Sequence, residues 1–180
     1  FVLVASFEIT PGRMLVEFAT MLIGHLPSDE EYEKALAWLD GKLWFYKGPR
    51  DPKFHDLLED MRYSVQRFGV TRVVIDSLFF LVGKENYEGQ DSISRTLKLF
   101  AEETNCHVAL VAHSIVKQKG EYIPGMESVE GSGGLCKPID NGLTVHRNQA
   151  KAAAIEKAED NGDTSKVAAA QKQHDAILVV

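Results

Sequence analysis

An α/β fold with a mostly parallel sheet is predicted by three features of this chain. Val73-Val74-Ile75-Asp76-Ser77-Leu78 is a run of β-branched apolar residues that ends in a carboxylate. Val108-Ala109-Leu110-Val111-Ala112-His113 is a second such run and ends in an imidazole. Uninterrupted apolar runs belong to strands buried on both faces, as in a parallel sheet with helices packed on both sides. Segments of helical period alternate with these runs along the chain, the third feature.

The elements follow in order. Val2 to Phe7 reads as a buried strand. Thr10-Pro11-Gly12 opens a helix, with Thr10 as N-cap and Pro11 at the first position. That helix runs to Ile23 and turns Met14, Leu15, Phe18 and Leu22 inward. Ser28 followed by Glu31 is a capping box and starts a helix to Leu39. Leu43 to Tyr46 is a short strand. Asp51-Pro52 starts a helix that Gly69 ends after Phe68. Thr71 to Ile75 is the central strand, Gly83 to Asp91 a polar loop, and Ile93 to Thr104 a helix. His107 to Ala112 is the next strand, and Ser114 to Ser132 a long loop. Leu135 to Asp140 reads as a short helix and Gly142 to His146 as a strand. Ala150 to His174 is helical by propensity, broken at Asn161-Gly162-Asp163. Ala176 to Val180 is a last strand.

The 180 residues suffice for one domain with a real core, and 44% hydrophobic content excludes wholesale disorder. No apolar run reaches the ~18 residues of a membrane span, and no signal peptide is visible. Cys106 and Cys136 lack metal-ligand spacing and read as two reduced thiols, Cys106 in the core. The histidines form no metal-ligand spacing either. A net charge of −6 excludes a general basic nucleic-acid coat, so any such contact is local. Phe1 lies inside a strand and Val180 inside another, whereas domains usually begin and end in exposed polar segments. The expectation is therefore a partial domain cut at both ends.

In parallel sheets ligands sit beyond the carboxyl ends of the strands. Asp76 at such an end either caps the next turn or holds the magnesium of a bound nucleotide. Ser6-Phe7-Glu8 places a second carboxylate at a strand end. Glu8 is either a solvated loop residue or a base that activates water for attack on a γ-phosphate. His113 is either a core histidine satisfied by backbone or a donor to a terminal phosphate. Lys117 and Lys119, in the loop that follows, are either surface charge or a grip on nucleic-acid phosphates. Arg147 in Thr144-Val145-His146-Arg147-Asn148 is either a rim residue or a finger that reaches a neighbour's phosphate. Val129-Glu130-Gly131-Ser132-Gly133-Gly134 is Gly-rich, but the G-x-x-x-x-G-K-[ST] phosphate loop occurs nowhere in the chain.

Taken in order, these segments resemble the RecA-like helicase domain of the DnaB-type hexameric replicative helicases, most of all the phage primase–helicases and Twinkle. Ala5 to Pro11, Val73 to Leu78, Asn105 to His113 and Gly131 to Asn148 carry the resemblance, over roughly residues 1–148 plus the final strand. It implies a RecA-like P-loop NTPase core over 1–180 that lacks its phosphate-loop segment. It implies Glu8 as the water-activating base, His113 as phosphate sensor and Arg147 as a finger given to the adjacent subunit. Asp76 becomes the Mg2+-linked aspartate, acting through water. Lys117 and Lys119 fall in the DNA-binding loop. The implied cofactors are Mg2+ and ATP or another NTP. The implied partners are single-stranded DNA, further copies of the chain in a homohexamer and an associated primase, with no membrane. The implied setting is a bacterial or phage-infected cytoplasm, or a mitochondrial matrix if Twinkle-like.

Three departures accompany the resemblance. The phosphate loop is missing, Glu130 stands where family members often carry arginine, and Ala150 to His174 is an insertion-like helical segment. Two other readings stay open from the sequence: a RecA/KaiC-like ATPase without unwinding activity, and a non-catalytic NTPase-like scaffold.

Overall fold

The computed structural model describes residues 1–49, 51–114, 125, 129–131, 133–172 and 176–179. Its chain divides into two compact units, Phe1–His113 and Ser114–Val180.

The first unit is built on a four-stranded parallel sheet. Its strands are β1 Val2–Ser6, β2 Leu43–Phe45, β3 Arg72–Asp76 and β4 His107–Leu110, in the spatial order β2-β1-β3-β4. Helices α1 Pro11–Ile23 and α2 Asp29–Leu39 connect β1 to β2, α3 Phe54–Phe68 connects β2 to β3, and α4 Tyr87–Thr104 connects β3 to β4. The first crossover runs in one direction along the sheet and the next two in the other. Right-handed crossovers therefore place α1 and α2 on one face, α3 and α4 on the opposite face. Side-chain alternation agrees. Val2, Val4 and Val74 border a cavity with Met14 and Phe18 of α1. Leu3, Ala5, Val73 and Ile75 point the other way, where the fully buried Leu57, Met61 and Phe100 of α3 and α4 supply the core.

Local chemistry sets the helix ends. Ser28 and Glu31 form the reciprocal capping box of α2, and that bonding holds the Glu31 carboxyl below its ordinary range. Gly69 ends α3 at φ 66°, a left-handed conformation that costs glycine little. Thr10 occupies the N-cap of α1 in extended conformation, but its side chain makes no capping bond. Helix α3 begins at Phe54 rather than at Asp51, with Lys53 at its N-cap.

The largest departure from the sequence reading is α4, which begins at Tyr87 rather than Ile93. Asn86 caps it by accepting from the Gly89 amide. Gln90, fully buried, donates to the carbonyls of Gly83 and Lys84 and ties the preceding loop to the helix.

The second unit contains β5 Thr144–Arg147 and β6 Ala176–Val179, paired antiparallel, and helices α5 Gln149–Asp160 and α6 Thr164–Gln171. The Asn161-Gly162-Asp163 break falls between the two helices, as the sequence predicts. Lys151 is buried between them and its Nζ donates to the Gln171 carbonyl. Residues 133–138 form successive turns instead of the expected helix. They close through bonds from the Lys137 amide to the Gly134 carbonyl and from the Ile139 amide to the Cys136 carbonyl. The Ser114–Ser132 loop lies largely outside the described residues, apart from a bridge between Ser114 and Val129.

Candidate active site

The carboxyl ends of β1, β3 and β4 lie side by side, and Glu8, Asp76 and His113 follow them. In the parallel register Ser6 is paired directly with Asp76. The amide of Phe7 donates to the Asp76 carbonyl at 2.7 Å, and the Leu78 amide to the Val111 carbonyl at 3.0 Å. These bonds prolong the ladder past the strand ends and fix the three loops relative to one another. A 3₁₀ turn, Leu78–Phe80, follows β3, and the Asp76–Ser77 peptide is cis.

Glu8 is the hub. Its Oε1 accepts the Ser77 hydroxyl at 2.8 Å and lies 3.2 Å from His113 Nε2. The His113 side chain is 51% exposed and that of Glu8 34%, so water reaches both. Phe79 stacks on His113 with centroids 5.8 Å apart and planes 9° from parallel. Lys84 Nζ sits 5.1 Å from the Phe79 centroid, within cation–π reach. Asp76 accepts the Ser6 hydroxyl on Oδ2 at 2.8 Å. Ser6 Oγ in turn accepts the Ile9 amide at 3.2 Å, which holds the turn that carries Glu8.

One oxygen of each carboxylate thus remains without a hydrogen-bond partner among the described residues: Oε2 of Glu8 and Oδ1 of Asp76. Hard carboxylate oxygens suit Mg2+, which is commonly held by one or two carboxylates with water and substrate phosphates completing its shell. Asp76 fits that role, and no group of three or more metal-ligating side chains exists among the described residues. Beneath Asp76 lies a cavity of about 730 Å³, lined chiefly by apolar side chains such as Met14, Phe18, Trp38 and Val74. Its apolar walls do not suit phosphate groups, so the polar chemistry belongs above the strand ends.

The structure therefore brings together three of the six residues singled out in the sequence. Arg147 ends β5 in the second unit. Lys117 and Lys119 lie outside the described residues. Sequence reasoning missed Ser6, Ser77 and Phe79. Both serines stand next to strand-end residues already singled out, but their partners are far off in sequence. Cys106 is buried as expected, its Sγ donating to the Val70 carbonyl at 3.2 Å. Burial pushes the Cys136 thiol up, away from reactivity.

An α/β sheet of this order, with acidic and imidazole groups at its strand ends, is a RecA-like ATPase fold. The solved ATPase domain of a DnaB-like helicase matches it with a TM-score of 0.67 over 83% of this chain and 60% of that one, at 18% identity. In sequence the chain is 28% identical over 130 residues to the Twinkle homolog protein, chloroplastic/mitochondrial, of Arabidopsis thaliana, covering 68% of this chain. The chain spans 18% of the length of that relative. No protein-family model matches. The chain is thus similar to helicase ATPase domains of the DnaB and Twinkle kind. No helix among the described residues is long and apolar enough to cross a membrane.

Proposed function

We propose that residues 1–180 are part of the RecA-like ATPase domain of a replicative DNA helicase that hydrolyses ATP or another NTP to translocate on single-stranded DNA. The observation that carries this reading is the meeting of Glu8, Asp76 and His113 at one end of the parallel sheet. In this reading Glu8 accepts the proton of the water that attacks the γ-phosphorus, with its Oε2 available for that water. Asp76 holds Mg2+ through water, and the ion supplies neutralisation of phosphate charge. His113 donates to the terminal phosphate, and its contact with Glu8 links the sensing group to the base. Arg147 serves the site of an adjacent copy in a homohexamer. Lys117 and Lys119 contact the phosphates of the strand in the central channel. A primase would act alongside, in a bacterial or phage-infected cytoplasm or in an organelle.

The chain has no G-x-x-x-x-G-K-[ST] segment, and phosphates need such a nest of amides with its lysine. Residues 1–180 alone should therefore hydrolyse no ATP and bind it weakly by calorimetry. A polypeptide with a strand–phosphate loop–helix segment joined ahead of Phe1 should hydrolyse ATP and displace a strand from forked DNA. Glu8→Gln in that polypeptide should lower kcat about 10²–10⁴-fold, the usual contribution of a general base, with KM little changed. Tight Mg2+-dependent ATP binding by residues 1–180 alone, or full activity of Glu8→Gln, would contradict the assignment. Hydrolysis without strand displacement would favour the RecA/KaiC-like alternative, and no hydrolysis in any form the scaffold alternative.

A further inference from the structure

We infer that Ser6 and Ser77 are a crossed pair of positioning residues, each fixing the carboxylate carried by the other's strand. Ser6 ends β1 and donates to Asp76 of β3; Ser77 follows β3 and donates to Glu8 beyond β1. Both bonds are 2.8 Å, and they span 70 and 69 residues of sequence. A hydroxyl that donates to a carboxylate makes a charge-assisted bond, stronger than a neutral one. Ser77 is fully buried. Among the described residues its hydroxyl finds Glu8 Oε1 as acceptor. A buried hydroxyl without a partner is costly, so the pairing constrains Glu8 as firmly as it satisfies Ser77. Ser6 is constrained from both sides, as donor to Asp76 and acceptor from Ile9.

The crossing has a geometric consequence. Each bond takes one carboxylate oxygen and leaves the other, Glu8 Oε2 or Asp76 Oδ1, directed by the remaining geometry of its group. Because each serine belongs to the opposite strand end, neither carboxylate can rotate without breaking a bond to its neighbour's backbone segment. Each carboxylate is thereby held in one orientation with a single oxygen left over. His113 reinforces Glu8 at the same Oε1 but is half exposed, so Ser77 is the firmer of the two restraints. What the two carboxylates do for catalysis rests on the proposed function; how they are held does not.

The test uses residues 1–180 and solution NMR at neutral pH, without nucleotide. Side-chain couplings report whether each carboxylate occupies one rotamer, and carboxyl 13C shifts report its bonding. Ser77→Ala should make the Glu8 side chain average over rotamers and leave Asp76 unmoved. Ser6→Ala should release Asp76 and leave Glu8 in one rotamer. Ser6→Thr, which keeps the hydroxyl, should retain the wild-type Asp76 signature. Ser77→Cys and Ser6→Cys keep nearly the volume with a weak donor, and should reproduce the crossed pattern if an alanine variant fails to fold. If both carboxylates respond to each variant, or neither responds to either, the serines serve strand-end packing only and the inference is overturned. If the crossed pattern stands while the form bearing a phosphate loop hydrolyses nothing, the proposed function fails and the crossed pair does not.

Discussion

Glu8, Asp76 and His113 were legible in the sequence because a buried parallel strand announces itself and its last residue is the one that meets the ligand side of the sheet. What the sequence did not reveal was their second partners. Ser77 touches Glu8 and Phe79 stacks on His113, contacts between residues 69 and 34 apart in the chain that no local pattern encodes. The core shows the same split. Phe100 was legible as inward-facing from helical period, while the Arg62 guanidinium over its ring and the Arg62–Glu103 ion pair were not. Phe100 is fully buried. Phe100→Ala should therefore cost about 3–5 kcal/mol, the usual range for removing a buried aromatic. Urea unfolding should show a lower midpoint at an unchanged slope, since a changed slope would mean that the denatured or native state had changed compactness.

At the scale of elements, helix existence was better encoded than helix start. Apolar period marks the middle of α4, but its first residues, Tyr87 to Ser92, are largely polar and read as loop. The missing signals were the Asn86 cap and the burial of Gln90, whose amide satisfies the loop carbonyls that precede the helix. The expected helix at Leu135–Asp140 failed for the converse reason: its turn-forming bonds are i to i+3 and do not propagate. Helix α6 offers a test of how much a cap decides. Asp163 accepts from the Lys166 amide and the Ser165 hydroxyl and pairs with Lys166 Nζ. The Lys166 side chain first, then Ser165, lowers the Asp163 carboxyl from an ordinary 3.8 to about 2. A carboxyl lowered by folding stabilises above its unfolded value and loses that contribution as pH falls through its folded one. The amide signals of Thr164–Gln171 should thus hold down to about pH 4 and weaken toward about pH 2. Asp163→Asn, an equally good cap without a titrating group, should remove that pH dependence.

At the scale of the whole molecule, a net charge of −6 opposes DNA binding, so the proposed contact has to be local and assembled in several copies. Lys117 and Lys119 are the proposed grip. In an assembly that binds single strands, Lys117→Ala with Lys119→Ala should weaken binding alike for all sequences. The slope of log affinity against log salt should fall by about 1.4, because each single-strand phosphate contact contributes about 0.7. An unchanged slope would remove this loop from the interface. Arg147 carries the assembly argument further. A finger acts on charge that develops in the transition state, and such fingers contribute on the order of 10³–10⁵ in rate. In the form bearing a phosphate loop, Arg147→Ala should abolish hydrolysis and leave nucleotide affinity and ring assembly intact. Arg147→Lys should not rescue it, since a point charge lacks the planar fork. Mixing decides whether the residue acts between copies. In rings of Arg147→Ala and Glu8→Gln subunits, the intact arginine of one copy can face the intact base of the next. Partial hydrolysis should return, although each parent ring is inactive. If native mass spectrometry shows mixed rings and they stay inactive, Arg147 does not serve a neighbouring site.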